Sequence, residues 1–157
     1  PLLPRDQVDE YAFRSSLAPM TLLVYDLWRR DVDWRPLPRM VGEWRQVTGA
    51  GCFYGDYYPL TPYNRDATQW IAWQLHRPDQ GAGIVQAFRR PASSTVARPL
   101  PLHGLVAEAD YELRELGVPG KTRRASGREL LTTGLTVELP RAPQAALIWY
   151  RVSGSAA

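Results

Sequence analysis

Residues 69–90 read QWIAWQLHRPDQGAGIVQAFRR, two extended runs joined by a short polar segment. In the first run Ile71, Trp73 and Leu75 occupy alternate positions, which places them on one face of a strand. The segment RPDQGAG then supplies Pro, Asp and Gly, the residues typical of turns, before a second run at 83–90. The pattern predicts a β-hairpin with Trp73 in the core.

Five further runs of strand type follow the hairpin, separated by Gly and Pro. In one of them Leu135, Val137 and Leu139 alternate cleanly with polar residues. A turn of helix is predicted at 127–134. Short strands at this spacing indicate an antiparallel β-sandwich. The five predicted strands are Thr95 to Leu102, Asp110 to Glu115, Lys121 to Ala125, Leu135 to Leu139 and Ala145 to Val152.

The first fifty residues have a different pattern, predicted as helix, strand, helix. Asp9 is a suitable N-cap for a helix that runs to about Ala18 and stops at Pro19. Met20 to Tyr25 is a short apolar run of the kind found in buried parallel strands. A second helix begins near Pro36. Its apolar stripe consists of Leu37, Met40, Val41, Trp44 and Val47. Glu43 and other polar residues are predicted to lie off this stripe.

Charge and composition exclude several classes of function. The chain carries a formal net charge of +3, and its arginines are scattered rather than clustered, which argues against a nucleic-acid-binding surface. No run reaches the ~20 apolar residues that span a bilayer, and no signal-peptide pattern opens the chain. We therefore expect no nucleic-acid partner and no membrane contact, and a soluble, cytoplasmic location is favoured.

Few residues are suited to metal binding or nucleophilic catalysis. Cys52 is the single cysteine, and His76 and His103 are the only histidines. These three residues are too few for a structural zinc site, which usually has four Cys or His ligands. No metal or cofactor is therefore predicted. No G-x-S-x-G motif occurs, and Cys52 and His76 are interpreted as structural residues.

Carboxylates are candidates for glycoside hydrolysis, which requires two facing acids at roughly 5–10 Å. Asp26 is the best-placed acid, because it follows the carboxyl end of the predicted buried strand, where barrel enzymes carry catalytic residues. It is also suited to capping the next segment or to pairing with Arg29 or Arg30, and this structural interpretation is favoured. No complete catalytic pair is visible in the sequence.

The tyrosines of residues 53–63 allow two interpretations. Aromatic rings stack on the apolar faces of sugars, but they fill cores and interfaces more often. The prolines at 59 and 62 favour a stiff, extended path between two domains. We predict a seam whose tyrosines pack against both domains, with a sugar-binding platform as the alternative.

Several segments together give the chain a resemblance to the C-terminal part of glycoside hydrolase family 36, the α-galactosidase (melibiase) group. The resemblance covers nearly the whole chain. Its segments are AFRSSLAP (12–19), GEWRQ (42–46), FYGDYYPLTPY (53–63), WIAWQLHRPDQGAGIVQAFRRP (70–91) and GRELLTTGLTVELP (127–140).

The resemblance implies a mostly β chain, in which a helix-strand-helix remnant of a β/α barrel precedes a C-terminal antiparallel β-sandwich. Residues 1–52 would be the remnant, 53–65 the inter-domain seam and 66–157 the sandwich. It further implies a retaining mechanism, in which one aspartate attacks the anomeric carbon and a second protonates the leaving oxygen. Both aspartates belong to earlier barrel strands, upstream of Pro1.

No catalytic residue is therefore assigned to this chain, which we expect to be inactive alone. Tyr25 and Asp26 are predicted to border the sugar pocket of an intact barrel. The implied partners are a galactoside or oligosaccharide substrate and an N-terminal barrel, while homo-oligomerisation stays open. The alternative hypothesis is a non-catalytic carbohydrate-binding or structural β-sandwich module.

Overall fold

The computed structural model describes residues 7–20, 25–26 and 28–154. The strand predicted over Met20 to Tyr25 lies mostly outside the described residues. The helices are α1 (Glu10–Ser15), α2 (Leu37–Gly49) and α3 (Gly127–Thr132), with a 3₁₀ turn at Cys52–Tyr54. The strands are β1 (Asp56–Pro59), β2 (Ile71–Arg77), β3 (Ala82–Arg89), β4 (Ala97–Leu100), β5 (Asp110–Glu115), β6 (Thr122–Ser126), β7 (Leu135–Glu138) and β8 (Gln144–Val152).

Helix α1 begins where the sequence predicts but ends earlier. The Asp9 carboxylate accepts a hydrogen bond from the Ala12 N–H at 2.6 Å, which confirms it as the N-cap. The helix ends at Ser15 rather than near Ala18. The Ser15 and Ser16 hydroxyls donate to backbone carbonyls three residues back, a local alternative to continued helix.

Helix α2 confirms the predicted helix after Pro36 and corrects its buried face. Met40 and Val47 are fully buried, whereas Trp44 is only half-buried. Glu43, predicted off the apolar stripe, is buried as well. The prediction for Glu43 was wrong because hydrophobic spacing does not detect a charge that is buried against a partner elsewhere in the fold.

The strands confirm the predicted β-rich fold and hairpin. Six strands form an antiparallel sheet in the order β1-β2-β3-β8-β5-β6, and β4 and β7 pair in a second sheet. Within the hairpin Gln74 lies opposite Val85. Strand β8 returns from the end of the chain to pair with both β3 and β5, so the hairpin lies inside the sheet.

The central hairpin is buried on both faces rather than on one. Trp70 and Ala72 lie in the main core between the two sheets. On the opposite face Leu75 and Ile84 pack with Val47 in a second apolar cluster. All eight residues of β3 are buried, because the N-terminal helices cover the face that a two-layer sandwich would leave in water.

Strand β1 lies within the segment that the sequence assigns to the seam. It pairs with β2 in antiparallel register, with Tyr58 opposite Gln74. Part of residues 53–65 is thus the edge strand of the large sheet.

Gly83 gives a direct test of this sheet. A Cβ at this position would collide with the Leu75 carbonyl oxygen and the Tyr150 hydroxyl. Gly83→Ala should therefore lower the free energy of unfolding by about 1–3 kcal/mol, as overpacked core substitutions do. Urea unfolding followed by tryptophan fluorescence measures the change.

The matched control is Gly42→Ala in the middle of α2, where a Cβ meets nothing within 4 Å. That variant should be unchanged or stabilised by up to ~1 kcal/mol, since alanine favours helix. Equal unfolding midpoints for Gly83→Ala and the wild type would contradict the packing described for β3.

Candidate functional site

Tyr25 and Asp26, the two predicted pocket residues, lie in the segment that leads toward α2. The Tyr25 ring is half-buried and meets Trp34 edge-on, with ring centroids 5.6 Å apart. The exposed Asp26 carboxylate accepts from the Trp28 N–H at 3.1 Å, and its carbonyl accepts from the Arg29 N–H at 3.2 Å. Asp26 therefore shapes a local turn in this structure.

The neighbouring acids are held by arginines. Asp31 accepts from Arg29 Nε at 2.9 Å, and Asp33 accepts from Arg35 Nε at 2.8 Å. These hydrogen bonds hold the pKa of each carboxyl at about 2. Both acids are therefore ionised at neutral pH and unsuited to protonate a leaving group.

The same segment exposes large apolar side chains. Trp28 is 93% exposed and Met20 is 86% exposed. Each is a side chain whose burial would be worth roughly 1.5–3 kcal/mol. This surface is suited to being covered by another part of a protein.

A buried ion pair, the Arg14–Glu43 clamp, joins α1 and α2 to the large sheet. Arg14 donates to Glu43 from Nε at 3.1 Å and from Nη2 at 2.9 Å. It also donates to the carbonyls of Ala145 at 2.7 Å and Leu116 at 2.8 Å. Glu10 and Arg39 extend the network toward solvent. One guanidinium thus connects both helices with β8 and the loop after β5.

Further hydrogen bonds hold the helical segments on the sheet. Gln86 of β3 donates to the Arg14 carbonyl at 3.1 Å, and Trp73 donates to Gln86 at 2.9 Å. The half-buried Trp73 ring also stacks on Phe88. The indole of Trp44 donates to the Ala18 carbonyl at 2.9 Å. The helices are therefore attached by directional bonds as well as by apolar packing.

A second polar network lies within the sandwich. The Gln74 amide donates to the Tyr150 hydroxyl at 2.7 Å and to the His103 carbonyl at 2.9 Å, and it accepts from the His103 N–H at 2.8 Å. His76 Nδ1 lies 3.0 Å from the same hydroxyl. Burial lowers the pKa of His76 and raises that of Tyr150. Both groups are therefore neutral at pH 7, and the network connects the hairpin to β8.

In the described part of the chain, the other candidate reactive side chains are either unreactive or too far apart to form a site. Burial raises the pKa of the Cys52 thiol to about 11, so the thiol stays protonated. Within residues 7–20, 25–26 and 28–154, no cluster of three His, Cys, Asp or Glu side chains is arranged to hold a metal ion. Among the helices of the described residues, none is long and apolar enough to cross a membrane.

Residues 70–150, from just before β2 to near the end of β8, match the family model for the glycosyl hydrolase family 36 C-terminal domain. This match covers slightly more than half of the 157 residues. The chain belongs to glycosyl hydrolase family 36. The family assignment that the resemblance implied is confirmed.

Two solved structures share the fold over most of this chain. The α-galactosidase AgaB from Geobacillus stearothermophilus is 24% identical, with a TM-score of 0.55 over 75% of this chain and 15% of that one. The α-galactosidase from Lactobacillus brevis is 16% identical, with a TM-score of 0.55 over 81% of this chain and 18% of its own. The family 36 chain thus spans less than a fifth of either. No curated protein matches it.

The sequence did not identify the Arg14–Glu43 clamp or the Gln74–Tyr150 network. Gln74 and Gln86 did carry a signal, because each is a polar residue within an otherwise apolar strand. Buried polar side chains need partners, so such residues mark buried hydrogen bonds. Gln74 bonds to Tyr150 and Gln86 bonds to the Arg14 carbonyl, and each partner lies more than 70 residues away along the chain. No local sequence pattern identifies such distant partners.

The clamp leads to a stability prediction for the family 36 chain. Glu43→Ala leaves the buried Arg14 charge with much less compensation, so the free energy of unfolding should fall by about 3 kcal/mol. The double variant Arg14→Met/Glu43→Leu removes both charges and should lose less than the single variant. Urea unfolding of both variants measures the difference.

The control is Asp33→Asn, which breaks a solvent-exposed pair with Arg35 and should leave the unfolding midpoint unchanged. A loss for Glu43→Ala no larger than that of Asp33→Asn would show that the clamp does not hold the helices.

His76 makes stability depend on pH. Its folded pKa lies below the unfolded value of 6.5, so the unfolded chain binds more protons in this range. The stabilising contribution of neutral His76 is complete above pH 6.5 and is lost as the pH falls through the folded pKa. Urea unfolding at pH 7.5 and pH 5 should show this loss, and His76→Gln should reduce it. Equal losses in both proteins would contradict the assignment.

Proposed function

We propose that the chain is the C-terminal part of a retaining glycoside hydrolase that removes terminal α-galactosyl groups. In this proposal the β-sandwich supports a β/α barrel, and residues of that barrel upstream of Pro1 supply the two catalytic aspartates. The observation that carries the proposal is the Arg14–Glu43 clamp, which fixes two helices on the outer face of the sandwich. In this proposal those helices belong to the end of the barrel.

The exposed apolar residues before α2 support the same arrangement. Met20 and Trp28 are almost fully solvent-exposed, although both belong to a segment that is continuous with the clamped helices. Further strands and helices of a barrel would cover them. Both solved structures that share the fold are α-galactosidases, which suggests the substrate class.

The residues of this chain would help to position the substrate and would not take part in bond cleavage. Tyr25 and Asp26 would border the sugar pocket at the end of the last barrel strand. In that segment Asp31 and Asp33 are bound to arginine side chains, whereas the exposed Asp26 carboxylate accepts from the backbone N–H of Trp28. We propose that Asp26 helps to orient a sugar hydroxyl and does not take part in bond cleavage.

Activity measurements test this proposal. The purified 157-residue chain should release no nitrophenol from a nitrophenyl α-galactoside, whereas the polypeptide extended through the upstream coding sequence should release it. In the extended enzyme Asp26→Asn should raise KM more than it lowers kcat, because a positioning residue acts mainly on binding. Asp33→Asn is the matched control and should change neither value.

Two results would overturn the proposal. Hydrolysis by the 157-residue chain alone would show that the chemistry resides here. An extended polypeptide that is folded yet inactive on α-galactosides would show that the substrate class is wrong.

A further inference from the structure

An open groove lies along the edge of the large sheet, at strand β1 and the loop that follows it. It has a volume of about 520 Å³ and is walled by two tyrosines, Tyr57 at 61% and Tyr63 at 87% exposure. All of its lining residues are uncharged: Tyr57, Pro59, Leu60, Thr61, Pro62 and Tyr63. A lining of this kind is suited to a neutral ligand with an apolar face.

The loop that carries the groove is fixed to the sheet. The Leu60 N–H donates to the Ala72 carbonyl at 2.9 Å, and the Ala72 N–H donates to the Thr61 hydroxyl at 2.9 Å. Asn64 donates to the Pro62 carbonyl at 3.1 Å and itself accepts from Arg90 at 2.9 Å. The two exposed tyrosines therefore stand on a pre-ordered support, which lowers the entropy cost of binding.

The backbone of β1 supplies polar groups at the same place. Because Leu60 bonds to Ala72, the alternation of an antiparallel ladder directs Tyr58 toward β2 and the backbone groups of Tyr57 and Pro59 toward the free edge. The Tyr57 N–H and carbonyl and the Pro59 carbonyl thus face the groove edge. Pro59 has no N–H, so a further β-strand would pair poorly there.

We propose that this groove is a pyranose-binding subsite for galactose-containing oligosaccharides. The Tyr57 and Tyr63 rings would stack on the C–H face of a sugar ring, and the Tyr57 backbone groups would bond to its hydroxyls. The choice of a galactose-containing ligand rests on the proposed function.

Melibiose titration of the 157-residue chain tests the subsite. The ring-proton resonances of the tyrosines, observed by NMR with selective tyrosine labelling, should shift saturably for Tyr57 and Tyr63. Sorbitol at the same concentrations is the ligand control, since it is a polyol without a ring face. Tyr57→Ala and Tyr63→Ala should each weaken binding by about tenfold, the effect of losing one favourable aromatic contact.

Tyr54→Ala is the matched protein control. Tyr54 is 77% exposed but does not line the groove, so its removal should leave melibiose affinity unchanged. All three tyrosines are exposed, and thermal unfolding should therefore be the same in each variant.

Three outcomes would overturn the subsite. These are the absence of saturable shifts, unchanged affinity in Tyr57→Ala and Tyr63→Ala, and concentration-dependent self-association that both substitutions abolish and melibiose does not affect. The last would make the groove a protein interface. Each leaves nitrophenol release by the extended enzyme as it was, so failure of the subsite is distinguishable from failure of the proposed function.

Discussion

The buried charge of Arg14 is the constraint on which the arrangement of this chain depends. A guanidinium that is 2% exposed requires partners for its charge and for its N–H groups. Glu43 supplies the opposite charge, and the carbonyls of Ala145 and Leu116 accept further hydrogen bonds. Because these partners come from α2, β8 and the loop after β5, satisfying one side chain fixes the helices on the sheet.

This attachment changes the character of the central hairpin. In an ordinary two-layer sandwich each strand keeps one face in water and alternates apolar with polar residues. Here β3 is buried throughout, with one face in the main core and the other beneath the helices. The sandwich is therefore built to carry another layer on its outer face. The proposed function, in which the sandwich supports a barrel, requires this property.

Trp28 on the one hand and Tyr57 and Tyr63 on the other are exposed aromatic residues in different structural environments. Trp28 belongs to the segment between the clamped helices, whereas Tyr57 lies in strand β1 and Tyr63 in the loop after it, which is bonded to β2. Sequence patterning identified Tyr25, Asp26 and the tyrosine-rich segment as candidates. It did not separate a seam from a binding surface, because exposure and the direction of backbone groups depend on which strand lies alongside.

The sequence by itself determined the hairpin, the later strands and the Asp9 cap, since each depends on residues close together along the chain. It also indicated the family, through segments spread over nearly the whole chain. Period, turn residues and caps act through local backbone geometry. Only the tertiary structure decided that Glu43 is buried, that both faces of the hairpin are covered, and that Tyr150 meets Gln74 and His76. Those features join residues from distant parts of the chain. A polar residue in an apolar strand predicts a buried hydrogen bond, but the sequence does not indicate which distant residue is the partner.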